Sequence, residues 1–403
     1  MAEAPSNAAW LTIIGLGEDG PDGLSPASRR ALDAAEVVMG AARHLALLGA
    51  HHAEAIEWPV PFADGLPVLE GLRGRRVVVL ASGDPFWCGA GAVIARRFAP
   101  GEWTALPGPS AFALAAARLG WALEATLCLG LHAAPLTRLR PHLAPGIRAI
   151  VLLRDGAAVH ALARYLTDTG FGDSALTVME ALGGPRERCT PACARALPEI
   201  GYAHPVAAAV EIAGDGPVIP RASGIDDAFF ETDGQITKRP IRALALSALA
   251  PRPHAMLWDI GGGSGSIAIE WLLAHPTTQA ISVEPRSDRT SRLRANAEQL
   301  GADRLTLVEG RAPEALDGLP QAQAIFVGGG LSEALLADLT ARAAAGTRLV
   351  AHAVTLESEA LLTAWAARAG GTLMKVALAE AAPLGSKRGW KAAYPVVQWQ
   401  VDL

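Results

Sequence analysis

Cysteine is scarce: only Cys88, Cys128, Cys189 and Cys193 occur in 403 residues. The lone C-x-x-x-C of Cys189 and Cys193 has no second pair at a zinc-like spacing, so no metal site is expected. So few cysteines in so long a chain also exclude a disulfide scaffold and fit a reducing, cytoplasmic setting. No uncharged run reaches the roughly 18 residues that a membrane helix needs. Residues 1–10 lack the basic and apolar regions of a signal peptide. Neither half is basic. Residues 1–212 hold 17 basic and 20 acidic side chains, and residues 213–403 hold 18 and 20. That balance offers no electrostatic footprint for nucleic acid. Lysine is nearly missing (Lys238, Lys375, Lys387, Lys391), so Arg carries almost all positive charge. Together with the heavy use of Ala this reads first as coding bias, although the Arg fork also suits carboxylates.

What is present is apolar and ordered. Hydrophobic residues are 51% of the chain, ample for real cores. Short β-rich runs alternate with Ala/Leu-rich stretches, the α/β pattern. In the first half strands are expected at 10–14, 76–81, 104–106, 125–129, 148–153, 175–179 and 206–212, and helices at 26–35, 90–99, 111–119 and 157–167. Residues 213–224, AGDGPVIPRASG, read as a linker. The expected division is therefore 1–212, the linker, and 225–403. After the linker, helices at 238–249, 264–273, 287–300, 332–344 and 357–369 interleave with strands at 255–260, 279–284, 305–309, 324–327 and 347–354. The last runs, 372–381 and 392–401, are joined by PLGSKRGW, too short for a crossover helix, and should pair antiparallel. That order predicts a Rossmann-like, seven-stranded methyltransferase sheet.

The strongest local signal is Asp259-Ile260-Gly261-Gly262-Gly263-Ser264-Gly265, after an apolar strand and before a helix. Glycines there permit a tight turn and close approach to a ligand. The helix start offers free N–H groups to a carboxylate. Glu284 ends the next strand, where a carboxylate accepts hydrogen bonds from ribose hydroxyls. Gly263-Ser264-Gly265-Ser266-Ile267-Ala268 also fits the G-x-G-x-x-A dinucleotide fingerprint. Asp259, heading D-x-G-x-G-x-G, favours a methyl donor whose ammonium end it can hold. Gly310 and Ala312, after the third strand, stand where an adenine is flanked. Gly328 and Gly329 end the fourth strand and face the cleft.

This segment resembles the C-terminal half of the precorrin-6Y C(5,15)-methyltransferase family, the decarboxylating one. Its approach, Gly224-Ile225-Asp226-Asp227 through Gln235-Ile236-Thr237-Lys238-Arg239-Pro240-Ile241-Arg242, is similar to that family's lead-in helix. The resemblance implies that Gln235, Thr237, Lys238 and Arg242 neighbour the cofactor.

Four turn motifs punctuate the first half: Ile14-Gly15-Leu16-Gly17-Glu18-Asp19-Gly20, Ser82-Gly83-Asp84-Pro85-Phe86, Pro107-Gly108-Pro109-Ser110, and Met179-Glu180-Ala181-Leu182-Gly183-Gly184-Pro185-Arg186-Glu187-Arg188. Each alone is an ordinary turn. Their order and spacing resemble the tetrapyrrole methylase family over nearly all of residues 10–212, specifically its members that methylate carbon 5. The resemblance implies a two-lobed fold with a second donor site at Gly15, Gly17, Gly83, Asp84, Pro85, Pro107, Gly108 and Ser110, and a homo-oligomer. Many relatives read G-x-G-P-G-D at the first motif. The proline is missing here, which leaves Glu18 and Asp19 without an assigned role.

The two resemblances imply a cobalamin-pathway enzyme using S-adenosylmethionine. Carbon 5 of a tetrapyrrole would be methylated by the first domain. Carbon 15 would be methylated by the second, with loss of the ring C acetate carboxyl as carbon dioxide. Arg311 and Arg286 are expected to meet substrate carboxylates, and His352 to act as acid or base. The competing reading keeps a methyltransferase acting on RNA or a small molecule, with a non-catalytic first domain.

Overall fold

The computed structural model describes residues 9–403. The chain forms two units that divide between Pro217 and Val218, with Thr137–His142 counted in the second.

The first unit is α/β and holds two five-stranded sheets. Its elements are β1 (Leu11–Leu16), α1 (Pro26–Ala34), β2 (Val37–Gly40), α2 (Ala42–Leu48), β3 (Glu54–Glu57), α3 (Gly65–Glu70), β4 (Val77–Ser82), α4 (Gly91–Arg97) and β5 (Trp103–Leu106). They continue as α5 (Ala111–Leu119), β6 (Leu127–Gly130), β7 (Arg148–Leu153), α6 (Gly156–Asp168), β8 (Ala175–Glu180), β9 (Arg188–Cys193) and β10 (Val206–Glu211).

The first sheet, in order β3-β2-β4-β1-β5, is parallel throughout. The middle of a parallel sheet is buried on both faces, which is why the inner strands β1, β2 and β4 are almost continuously apolar. Leu11, Ile13, Met39, Val77 and Val79 pack on one side, and Ile14, Leu16, Val38, Val78 and Leu80 on the other. The second sheet, β6-β7-β10-β8-β9, is parallel only between β6 and β7. The helix α5 covers it, setting Phe112, Ala115 and Ala116 against Ile150, Met179 and Ala209.

Several elements differ from the sequence expectation. The strands β2, β3 and β9 and the helices α2 and α3 were not foreseen. The strand β3 (EAIE) is a mostly exposed edge, and β9 (RCTPAC) carries Pro191. Edge strands tolerate such residues because one side of their ladder is unpaired. The expected strand 125–129 opens instead as a turn of 3-10 helix, and its pairing begins at Leu127.

The second unit contains α7 (Arg239–Leu249), β11 (Met256–Ile260), α8 (Ser266–Ala274), β12 (Gln279–Glu284), α9 (Ser287–Gln299), β13 (Thr306–Glu309), β14 (Ala324–Val327) and α10 (Glu333–Arg342). After these come β15 (Arg348–Ala353), α11 (Leu356–Ala369), β16 (Thr372–Val376), β17 (Ala379–Leu384), β18 (Lys387–Ala392) and β19 (Val396–Asp402). Seven strands form one sheet, β13-β12-β11-β14-β15-β19-β16, with only β19 antiparallel to its neighbours. Trp271 and Trp399 are fully buried on opposite faces. Each buries on the order of 200 Å² of ring, which at about 25 cal/mol per Å² stabilises by roughly 5 kcal/mol.

The closing runs pair as expected, Thr372 opposite Gln400, but only over part of their length. The chain leaves the sheet after Val376 and forms a separate two-stranded ribbon, β17–β18, turning at Gly385 with φ +60°. What read as a connecting loop is largely this ribbon. Among the described residues no helix is long and apolar enough to cross a membrane, and no cluster of His, Cys, Asp or Glu could hold a metal ion.

Candidate functional site

In the second unit the carboxyl ends of four parallel strands are tied together. Gly261 N–H donates to Val283 O (2.9 Å), Gly310 N–H to Glu284 O (3.1 Å) and Gly328 N–H to Ile260 O (2.9 Å). Gly261, Gly263 and Gly265 have φ of +75°, +56° and +77°, a region costly to other residues. A Cβ on Gly261 would lie 2.7 Å from Gly329, so the first and fourth strand ends meet backbone to backbone. A Cβ on Gly310 would meet Ala315, whereas one on Gly263 would meet only Gly261 O, at 3.9 Å.

Two buried carboxyls flank this loop. The Glu284 carboxylate accepts the N–H groups of Gly263 (2.9 Å) and Arg286 (3.2 Å). Each oxygen keeps a lone pair for a further donor. Asp259 is buried, accepts Ser282 Oγ–H at 3.2 Å and pairs with no cationic side chain among the described residues. Burial pushes its pKa up to about 7, and the charge of Glu284 adds to the rise. A buried acid of this kind suits a ligand's cationic group.

The lead-in segment needs correction. Arg242 is a structural anchor with no free face. It is fully buried, donates to Glu270 (2.5 Å), Asp227 (2.9 Å), Thr237 O (2.5 Å) and Ile225 O, and stacks over Phe230. Gln235 is exposed and accepts from Arg289 of α9, and Lys238 Nζ lies 3.8 Å from Asp227. The residue that joins lead-in to glycine loop is Asn296, which sequence reasoning missed. Its side-chain N–H groups donate to Glu231 O (3.0 Å) and Ser264 O (2.9 Å). A polar residue inside the helix α9 carries no local sign of that task.

His352 lies on β15, hydrogen-bonded to Gln398 at 2.9 Å and edge-on to Phe326. Burial lowers its pKa, so the ring is neutral near pH 7. Arg311 is exposed after β13, with no side-chain partner among the described residues. Arg286 is already forked onto Asp288, and does not stand ready for a substrate carboxylate.

In the first unit three strand ends lock together. Gly83 N–H donates to Leu16 O and Gly108 N–H to Gly83 O, both at 3.0 Å. A Cβ on Gly15 would stand 2.5 Å from Gly108 N and 2.9 Å from Gly83 C, so only glycine fits. Beside this knot lies a cavity of about 600 Å³. Gly17, Gly83, Asp84 and Ser110 line it; Gly15, Pro85, Pro107 and Gly108 do not. Ser110 caps α5 by accepting Ala113 N–H (3.1 Å), and Asp84 accepts Phe86 N–H (2.9 Å). The cavity is mostly apolar, but one polar cluster borders it. Glu18 accepts from Arg43 and Arg186, and Arg43 also meets His44 and Ser82. Glu18 thus acquires the partners that its motif left open, from residues far away in the chain.

Each unit therefore gathers glycine-lined strand ends, and in the first they border a ligand-sized cavity, an arrangement belonging to methyltransferases. The family comparisons agree: residues 10–198 match the Tetrapyrrole (Corrin/Porphyrin) Methylases, and residues 228–403 match the Precorrin methyltransferase domain. A Sinorhizobium sp protein named precorrin-6Y C(5,15)-methyltransferase [decarboxylating] is 50% identical, covering 97% of this chain and 95% of its own. The protein of that name from Mycobacterium tuberculosis (strain CDC 1551 / Oshkosh) is 41% identical, covering 97% and 99%. A Pyrobaculum calidifontis protein named probable cobalt-precorrin-6B C(15)-methyltransferase (decarboxylating) is 40% identical over 141 residues, 34% of this chain and 72% of its own. The chain belongs to the precorrin-6Y C(5,15)-methyltransferase (decarboxylating) family.

Proposed function

We propose that this enzyme, in cytoplasmic cobalamin biosynthesis, methylates precorrin-6Y (as precorrin-6B) at carbons 5 and 15 and removes the ring C acetate carboxyl, giving precorrin-8X. S-adenosylmethionine supplies both methyl groups as an electrophilic sulfonium. The observation that carries this reading is the presence of two unlike glycine-lined cradles, one in each unit.

In the first unit the Gly15–Gly83–Gly108 knot holds the strand ends open for the donor, and the apolar cavity excludes water. In the second, Asp259 faces the donor's ammonium, Glu284 its ribose hydroxyls, and Gly261, Gly263 and Gly265 admit its chain. Gln235, Thr237 and Lys238 flank that site from the lead-in, and Gly310, Ala312, Gly328 and Gly329 line its far side. The protein's main contribution is to aim the methyl group in line with a nucleophilic ring carbon. Carbon dioxide leaves without the electron pair of its C–C bond, and the conjugated macrocycle receives that pair. We assign this step and carbon 15 to the second unit, with Arg311 binding a substrate carboxylate and neutral His352 beside the ring. The matching 141-residue stretch of the Pyrobaculum relative supports a single domain being sufficient for both.

The test is a mass balance on full-length enzyme. Wild type should add two methyl groups and lose one carbon dioxide. Gly261→Val should add one methyl at carbon 5 and keep the acetate. Loss of carbon dioxide by that variant would remove decarboxylation from the second unit.

A further inference from the structure

In the first unit, the first turn of helix α2 carries Arg43 and His44 beside the end of β4, and the turn after β1 brings Glu18 to the same place. Glu18 is only 8% exposed and sits between two guanidinium groups, accepting from Arg43 and from Arg186 at 3.0 Å. The second guanidinium side of Arg43 donates to Ser82 Oγ at 2.7 Å and to His44 Nε2 at 2.9 Å. One carboxylate thus faces two permanent cations, and the cluster keeps an excess positive charge beside a mostly apolar cavity that Asp84 also lines.

His44 sharpens the picture. It is 8% exposed, and burial, aided by the charge of Arg43, lowers its pKa to about 4. The ring is therefore neutral near pH 7. Arg43 can only donate, so Nε2 must accept, and the single ring proton belongs on Nδ1. That Nδ1 is buried without a hydrogen-bond partner among the described residues. That nitrogen is sealed from solvent and so from the cavity; His44 braces Arg43 and does not meet a ligand itself. Arg43 Nε–H likewise has no acceptor among the described residues, and Arg186 is 60% exposed with donors to spare. Arg43 lines the cavity and shares Glu18 with Arg186, so the three side chains carry one positive charge over and keep unused N–H donors, which fit an alkyl carboxylate.

We propose that Arg43 and Arg186, braced by Glu18, Ser82 and His44, form a carboxylate receptor that grips one acidic arm of the tetrapyrrole during methylation by the first unit. This rests on the reading that the first unit methylates a tetrapyrrole. The receptor adjoins the donor's glycines through the chain neighbours Gly17–Glu18 and Ser82–Gly83. It therefore fixes the macrocycle's rotation relative to the methyl group, and so which ring carbon is presented. The methyl donor also carries a carboxylate, and the experiment separates the two sources.

Full-length Arg43→Met and Arg186→Met are assayed for carbon 5 methylation against tetrapyrrole concentration, and titrated with S-adenosylhomocysteine by calorimetry. Carbon 15 methylation in the same sample reports on the second unit. Losing a charge-assisted hydrogen bond should raise the tetrapyrrole KM about tenfold or more. The first-unit affinity for S-adenosylhomocysteine should stay within about twofold. Arg43→Lys should recover part of the KM, a result that a merely structural bracket would not require. If Arg43→Met does not fold, the exposed Arg186→Met gives the same readout. Weakened S-adenosylhomocysteine binding with an unchanged KM would transfer the receptor to the donor and overturn the proposal. No change in either quantity would overturn it too. Absence of carbon 5 methylation in wild type would instead refute the assigned reaction. The proposal would then be decided by tetrapyrrole binding to wild type and Arg43→Met, measured by fluorescence quenching.

Discussion

The two proposed donor cradles reach the same end by different physics. The first is backbone packed on backbone: Gly15, Gly83 and Gly108 meet where no side chain fits, beside a cavity whose charged cluster is an excess of arginine. The second sets two buried carboxyls, Asp259 and Glu284, near the ends of adjacent strands. The first should therefore select its donor by shape and the second by charge as well. A shape-selecting site is indifferent to mild acid, and a charge-selecting one is not.

The largest expected effect comes from filling one cradle at a time. Gly15→Val should abolish carbon 5 methylation while leaving carbon 15 methylation within about threefold, since the two cradles belong to separate units. Gly261→Ala should do the converse. Its Cβ would press on Gly329, and its φ of +75° is strained for alanine, so carbon 15 methylation should fall at least about a hundredfold. Product mass spectra read both. Equal loss of both methylations in either variant would break the contrast.

Next in size is Arg242→Met, which strands Glu270 and Asp227 without their buried partner. Breaking such a pair costs about 3–5 kcal/mol. Calorimetry should show a lower melting transition for the second unit, while S-adenosylhomocysteine still binds the first.

The pH dependence sharpens the contrast further. Folded Asp259 holds its proton up to about pH 7, against an ordinary value of 3.8. Below pH 7 a cationic donor must displace that proton, so second-unit affinity should fall by up to about tenfold per pH unit. First-unit affinity should stay level. The stability contribution has the opposite sense. The native state binds more protons than the unfolded chain between 3.8 and about 7, so the Asp259 contribution declines as pH rises through that window. Asp259→Asn should flatten both profiles. A flat wild-type titration would mean that Asp259 does not face the donor's cation.

The smallest effect belongs to Arg311→Ala. An exposed, unpartnered arginine should leave melting within about 0.5 kcal/mol and act only on the tetrapyrrole KM at carbon 15. A shift in melting would reveal a structural role.

The strand ends were legible because their demands are local. Glycine is required where φ is positive or backbones touch, and Gly15, Gly83, Gly261 and Gly329 all sit at such points. In the structure Ser110, Asp155, Ser332 and Thr355 each cap a helix by accepting an N–H group three residues on, an equally local demand. Arg242 was misread because its surroundings are not local: Glu270 and Ile225 reach it from separate segments. Asn296 was missed likewise, since Ser264 and Glu231 stand 32 and 65 residues away. The ribbon β17–β18 was hidden because most of it lies between the two apolar runs, and hydrophobicity does not mark where a strand leaves its sheet.

By itself, then, the sequence determined the alternation of strands and helices, the seven-stranded order and the glycines at its crossings, all consequences of backbone sterics and short-range periodicity. Only the tertiary structure decided which charges are partnered. Arg242 is consumed within the fold, Asp259 is left facing no cation, and Glu18 draws Arg186 from 168 residues along the chain. A charged side chain's energy depends on the neighbours and the water that the fold leaves around it, and neither is written at its own position.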